Sequence, residues 1–360
     1  MKKVLIVDWL DKYGGAERVI KDLYASVQFD KVYTMVNVME RSDLENIFPG
    51  LKYSIITSPL QRFGFKFRLF FFLFWNTIEK IQIDTDSQLI FSSSHAVAKG
   101  INKSNKNQIH ISYFQAPNAN YIWDEAPIYF GKFYFFIKPM LYFLRKKDIS
   151  HGQKPDFIIA NSKFVQNWIK EKYNRNSVVI YPPINLSDFT LKIEKEDYYI
   201  AVGRIVHIKR FDIIIDAFNK NKKKLIIVGD GELLNRIRKR SNDNIFFKGF
   251  AGHKEINHLI GSAKAFIQAG IEGFGIAPLE AQACGTPVIA YRKGGVTETV
   301  IENETGIFFD TQSAESLINA ITLFESKSFN PISISNHAHQ FTEERFKNEI
   351  AAFIKSKIKN

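Results

Sequence analysis

At 360 residues the chain is longer than one hydrophobic core usually serves, so about two domains are expected. With 45% apolar and 24% charged residues and no long acidic, Gly/Ser-rich or Pro-rich tract, the composition excludes a disordered or fibrous protein. The single cysteine, Cys284, excludes an internal disulfide and a cysteine-based zinc cluster and fits a cytoplasmic setting, while the net charge of +12 asks for a polyanionic partner: nucleic acid, anionic lipid or a phosphorylated small molecule.

The opening MKKVLIVDWL reaches Asp8 after five apolar residues, too few for a secretory leader, and reads as a first strand. Gly14-Gly15 follow, with a helix expected from about Ala16. Amides at a helix start can bind phosphate, and a tight turn is the alternative reading of the glycine pair. The dinucleotide pattern GxGxxG is absent, because the sequence here is GGAERV and the later GDGELL lacks the last glycine. That speaks against a nicotinamide dehydrogenase.

The stretch RFGFKFRLFFFLFW (62–75) interleaves Arg62, Lys66 and Arg68 with seven phenylalanines and Trp75. Two readings stand: a helix lying in the interface of an anionic membrane, or aromatics turned to the core with only the cations wet. Neither LFFFLFW (69–75) nor FYFFIKPMLYFL, broken by Lys138 and Pro139, approaches the roughly 20 residues that span a bilayer. The strand LIFSSS ends at His95, a structural hydrogen-bonder or a contact for an acceptor substrate.

Short apolar runs, Gly/Ser/Asn-rich turns and amphipathic stretches alternate along the chain, as in DFIIANS then KFVQNWIKEKY and KKLIIVGDG then ELLNRIRKR. Such βα units build parallel sheets covered by helices. YPPINLSDFTLKIEKEDYY (181–199) interrupts the series and is assigned as a linker. A first domain over 1–185, a second over 197–335 and a closing helix over 336–360 follow, the two α/β domains facing a central cleft.

In the second domain, AVGRIVHIKRFD (201–212) places Arg204 and Lys209 in the turn after a strand, a planar fork and a point charge suited to a diphosphate. GIEGFGIAPLEAQACGTPVIA (270–290) sets Glu272 and Glu280 on either side of a glycine turn, with Pro278 expected at the first helical position and Glu280 at the third. Glu280 could then fold back as in a capping box, but Ala277 supplies no cap side chain. Otherwise the two carboxylates serve one pocket by accepting hydrogen bonds from sugar hydroxyls, with the N–H groups of Phe274, Gly275 and Ile276 turned to a phosphate.

GRIVHIKRFD, IIVGDGE and EGFGIAPLEAQACGTPVIAYRKGGVTETV resemble the signatures of family 4 glycosyltransferases, which have the GT-B fold of two Rossmann-like domains. YGGAERV, FSSSHAVAKG, YFQAPNANYIWD and ANSKFVQNWI resemble the bacterial O-antigen mannosyltransferase branch. The resemblance covers nearly the whole chain. It implies a retaining, metal-independent hexosyltransferase without a cofactor, moving mannose from GDP-mannose to a lipid-linked oligosaccharide in surface polysaccharide synthesis, at the cytosolic face of the inner membrane. In that reading the closing helix packs back toward the N-terminal domain, which serves the acceptor, while the C-terminal domain holds the nucleotide sugar.

Residue by residue, the resemblance implies that Arg204 and Lys209 neutralise the donor diphosphate, that Gly14 and Gly15 form the loop over it, and that Glu280 binds the ribose. Glu272 would hold the transferred sugar, and Phe274, Gly275 and Ile276 would supply amides. Gln115 stands where related enzymes carry a histidine, so a titrating base is not expected there, although its amide could hydrogen-bond a sugar. A UDP-sugar transferase and a GT-B epimerase remain as alternatives. A phosphorylase would need a lysine-anchored pyridoxal phosphate, which no residue marks. A nucleic-acid binder is disfavoured because the aromatics sit in helix-like runs, not on an alternating strand platform.

Overall fold

The computed structural model describes residues 1–51 and 55–358. The chain divides into two units, one of Met1–Pro183 with Glu343–Asn360 and one of Ile184–Thr342.

Among the described residues the first unit is built on seven parallel strands: β1 (Lys3–Val7), β2 (Lys31–Thr34), β3 (Ile56–Thr57), β4 (Leu89–Ser94), β5 (Ile109–Phe114), β6 (Phe157–Ala160) and β7 (Val178–Val179). Their spatial order is β3-β2-β1-β4-β5-β6-β7. β1 is buried from Val4 onward and β4 throughout, as strands covered on both faces must be. The order reverses between β1 and β4, where the strand ends leave a crevice.

The helix Gly15–Val27 follows β1, and the last helix, Glu343–Ile358, returns to this unit and packs on it. That helix starts at Glu343 because a separate helix, Pro331–Ala338, capped by the Asn330 side chain, takes up the residues before it. Residues 359–360, assigned by sequence to the closing helix, lie outside the described residues.

Among the described residues one ion pair of the first unit has both side chains fully buried: Lys99 Nζ donates to Asp148 Oδ1 at 2.7 Å. The Asp148 carboxylate also accepts from Trp75 Nε1, Trp123 Nε1 and Tyr173 Oη, so its charge is shared among four donors from separate elements.

The stretch 62–75 is not one helix. Pro59–Leu73 winds in 3₁₀ turns broken at Gly64 and Phe70, and an α-helix runs from Phe74 to Glu79. Phe67, Phe74 and Trp75 are buried in the core, as the second of the two sequence readings has it, while Phe65 and Leu69 face solvent. No helix among the described residues is long and apolar enough to cross a membrane.

The second unit has six parallel strands among the described residues: β8 (Tyr199–Val202), β9 (Leu225–Val228), β10 (Ile245–Gly249), β11 (Ala265–Gln268), β12 (Val288–Tyr291) and β13 (Gly306–Phe309), in the order β10-β9-β8-β11-β12-β13. Its reversal falls between β8 and β11. The charged stretch assigned as a linker is stitched to this unit: Lys195 Nζ donates to Gly261 O, Cys284 O and Thr286 Oγ1, and Lys192 Nζ to Ser262 Oγ. Ile184 N donates to Phe341 O at 2.9 Å, closing the unit where the chain enters and leaves it.

Candidate functional site

The site in the second unit grows from the two strands flanking its reversal. After β8 the chain passes Arg204 and makes a short 3₁₀ turn, His207–Lys209, before the helix Phe211–Asn221. After β11 it runs through Glu272 into the helix Ile276–Ala283. Both loops leave the carboxyl edge of one parallel sheet, at the place where ligands of open α/β sheets bind.

The two loops meet in an ion pair. Lys209 Nζ lies 2.5 Å from Glu272 Oε1, and Gln268 Nε2 donates to the same oxygen at 2.6 Å. A Cβ on Gly270 would stand 2.6 Å from Ile208 O and 2.8 Å from Lys209 Cα, so the approach of the loops needs glycine there. Burial pushes the Glu272 carboxyl up, but the charge and hydrogen bond of Lys209, the Gln268 donor and the charge of Arg204 outweigh it and hold it below its ordinary 4.5. Arg204 itself is exposed and enters no ion pair among the described residues.

The helix carrying Glu280 starts earlier than the sequence suggests. Gly275, in the left-handed region at φ 94°, is its N-cap, so Ile276 is the first helical residue, Pro278 the third and Glu280 the fifth. Pro278 still forfeits no hydrogen bond, since the first four N–H groups of a helix lack an intrahelical acceptor. A capping box is excluded, because the cap is a glycine and Glu280 lies a turn further on. Glu280 is 5% exposed. The N–H groups of Gly275 and Ile276 belong to the set without an intrahelical acceptor, at the positive end of the helix dipole.

Two contributors were not singled out from the sequence. Gln268 positions Glu272 from the end of β11, and Gly295 N donates to Glu272 O at 2.9 Å, holding the loop from the turn after β12. The glycine pair of RKGG, placed between a strand and a helix, was the available signal for the second.

In the first unit Gly14, Gly15, His95 and Gln115 gather along the carboxyl edge of β1, β4 and β5. Buried Asp8, at the end of β1, accepts the backbone N–H groups of His95, Ala96, Val97 and Ala98 at 2.6–3.0 Å, bridging the reversal of this sheet. His95 Nδ1 lies 3.2 Å from the same carboxylate, and its ring stands edge-on to Trp9. Gln115 Nε2 donates to Ala16 O and to Ser93 Oγ, tying the glycine turn to β4. Both of its amide hydrogens are thereby taken, which leaves Oε1 as the side-chain atom for a further hydrogen bond. Gly14 is the N-cap, with extended φ, and Gly15 rather than Ala16 is the first helical residue. Among the described residues no group of three or more His, Cys, Asp or Glu is placed to hold a metal ion.

Comparison with known proteins follows this division. Residues 184–347 match the family model described as glycosyl transferases group 1. The O-antigen chain mannosyltransferase RfbU of Salmonella typhimurium is 34% identical over 148 residues, 37% of this chain and 41% of that protein. The GDP-mannose-dependent alpha-(1-6)-phosphatidylinositol monomannoside mannosyltransferase of Mycobacterium tuberculosis is 32% identical over 140 residues, 34% of this chain and 36% of that protein. The chain spans about half the length, or less, of the curated relatives it matches. Among solved structures, Anabaena Alr3699/HepE in complex with UDP and glucose superposes with a TM-score of 0.68 at 18% identity over 99% of this chain and 100% of that one. The architecture, two parallel α/β units with the last helix returning to the first, is the GT-B fold of that neighbour and of the lipopolysaccharide outer core galactosyltransferase WaaB, at a TM-score of 0.70 and 16% identity over 99% of this chain and 100% of that one.

Proposed function

We propose that the chain, whose residues 184–347 match the model of the glycosyl transferases group 1, is a retaining, metal-independent hexosyltransferase. Its donor is a nucleotide sugar, GDP-mannose by the names of the two mannosyltransferase relatives, and its acceptor a lipid-linked oligosaccharide of surface polysaccharide synthesis at the cytosolic membrane face. The observation that carries the reading is the Lys209–Glu272 pair at the reversal of the second sheet, with buried Glu280 on the helix that follows.

Arg204 and Lys209 neutralise the diphosphate, Glu280 takes the ribose hydroxyls and Glu272 those of the hexose, while amides of Phe274, Gly275 and Ile276 meet phosphate oxygens. Gly14 and Gly15 join the donor set. His95 and Gln115 serve the acceptor side of the first unit, and 62–75 supplies a contact to anionic lipid. In the reaction the bond from sugar C1 to the phosphate oxygen breaks with its electron pair leaving on phosphate. The acceptor oxygen bonds to C1 from the same face, and its proton passes to the departing phosphate. Stabilising the charge that grows on that phosphate is the main lever the protein has.

The test is thermal unfolding with GDP, UDP and ADP for the wild-type protein and Glu280→Ala. A ligand at about 100 times its dissociation constant adds roughly 2.7 kcal/mol of stability. A shift with GDP alone, lost in the variant, supports the donor site and sends turnover assays to GDP-mannose. A UDP-only shift keeps the reaction and discards mannose. No shift with any nucleotide overturns the reading.

A further inference from the structure

Two segments of the first unit, 59–75 and 126–147, hold eight Lys or Arg and no Asp or Glu. They touch through Phe71 and Phe130, whose ring centres are 5.5 Å apart. In the second segment the helix Tyr134–Gly152 buries Leu141, Leu144, Asp148 and His151, a single face at helical spacing. A helix bounded by water carries polar side chains on its other face. Here that face bears Phe135, Phe136 and Phe143, at 72%, 79% and 68% exposed, and Phe133 just before it is 73% exposed. Phe65 and Leu69 of the first segment are 73% and 70% exposed. Single exposed hydrophobic residues are ordinary, but this many bulky ones on two touching segments mark an interaction surface.

The cations around them identify the partner. Arg62, Lys66, Lys132, Lys138 and Lys146 enter no ion pair among the described residues. Lys138 Nζ lies over the Tyr134 and Phe135 rings at 5.3 and 5.2 Å, and Lys146 Nζ over Tyr142 at 4.5 Å. Their stems thus follow apolar surface while their charges stay at its rim, the arrangement of side chains that snorkel to a headgroup layer. A second copy of the chain does not fit: a two-fold contact would set these acid-free segments against themselves, cation to cation.

We propose that 126–147 and 59–75 together form one docking surface for an anionic lipid bilayer, with Phe133, Phe135 and Phe136 entering the boundary between headgroups and acyl chains and the lysines meeting lipid phosphates. The inference rests on the reading of 62–75 as a lipid contact and moves the larger part of the anchor to a segment that this reading leaves out.

The test is flotation of the full chain with vesicles of phosphatidylcholine alone and of phosphatidylcholine with phosphatidylglycerol, for wild type, Phe133→Ser/Phe135→Ser/Phe136→Ser, and Phe65→Ser/Leu69→Ser. The expected result is binding to the anionic vesicles, weakened by salt, with a loss of about a hundred-fold or more in partitioning for the triple variant. Stabilisation by nucleoside diphosphate, measured in the same preparations, should be unchanged, which separates this test from that of the donor site. Loss in Phe65→Ser/Leu69→Ser alone would keep the 62–75 contact and overturn the extension to 126–147. Absence of vesicle binding in every form would overturn both, as would a wild-type dimer that the triple variant dissolves without any lipid affinity.

Discussion

Lys209 and Glu272, carried by the loops that follow two neighbouring strands of the second sheet, meet at 2.5 Å with Gln268 closing on the same carboxylate oxygen. Each partner holds the other where the proposed donor would need it. Replacing Lys209 with Met, or Arg204 with Met, should lower turnover about 10²-fold or more, the scale for removing one charge-stabilising group. The pair also gives a pH signature. Because the folded carboxyl of Glu272 is held below its ordinary 4.5, its contribution to stability is present above that value and is lost as pH falls through the folded pKa. The stability difference between wild type and Glu272→Gln, measured by urea unfolding, should therefore be open near neutrality and closed in acid. A difference that ignores pH would remove the ion pair from the account.

The Lys99–Asp148 pair predicts a different outcome, since both groups are fully buried. Lys99→Met leaves Asp148 in the core without its cationic partner, with only its three neutral donors, Trp75, Trp123 and Tyr173. Stranding one partner of a buried pair costs about 3–5 kcal/mol. The four tryptophans, Trp9, Trp75, Trp123 and Trp168, all lie in the first unit, so fluorescence-detected urea unfolding reads this unit alone. A loss under about 1 kcal/mol would mean that the pair is an ordinary solvated one.

The sheets were legible in the sequence and the pairs were not, for a physical reason. Runs such as KVLIV and LIIV, short and closed by turn residues, read as buried strands, and their alternation with amphipathic stretches gives parallel order. Lys209 and Glu272 could be placed on one edge in this way, but their contact depends on β8 lying beside β11, a tertiary fact. Pro278 misled about the start of its helix, because proline is tolerated throughout the first turn and the left-handed Gly275 decides where that turn begins. Lys99, between Ala98 and Gly100 in a loop-like run, carries no local mark of burial, and Asp148 is 49 residues away. Nor does a run like FYFFIKPMLYFL tell which of its aromatic faces is wet.

Acid should weaken the first unit before ordinary carboxylates titrate. Burial lowers His110 from 6.5 to about 3; its Nε2 meets Ser92 Oγ, and its Nδ1 has no partner among the described residues. Burial, followed by the charges of Lys154 and Lys99, lowers His151 to about 3 as well. Between about 6.5 and 3 the unfolded chain binds protons that the folded one refuses. Stability is therefore complete above 6.5 and falls with pH at roughly 1.4 kcal/mol per unit for each histidine. With Asp22, which titrates with the opposite sign in the same window, replaced by Asn, tryptophan-detected urea midpoints should decline from pH 6.5 to 5, and His110→Gln should take away about half of that slope. A variant with the full slope would clear His110.

Asp22 carries the opposite sign. It lies on the helix Gly15–Val27 against the returning helix Glu343–Ile358, and burial, with repulsion from Glu343, raises its carboxyl from 3.8 to about 7. Through that window the folded chain keeps a proton that the unfolded chain has already released. Stability accordingly declines as pH rises, by roughly 1.4 kcal/mol per unit, and the full penalty stands above about 7. Asp22→Asn removes the titration and keeps the shape. It should raise the tryptophan-detected urea midpoint at about pH 8 and leave it unchanged near pH 4, where the native side chain is neutral in the folded state. Equal effects at both values would show that Asp22 acts through packing alone, and a loss at pH 8 would show that its charge holds the last helix in place through Lys347.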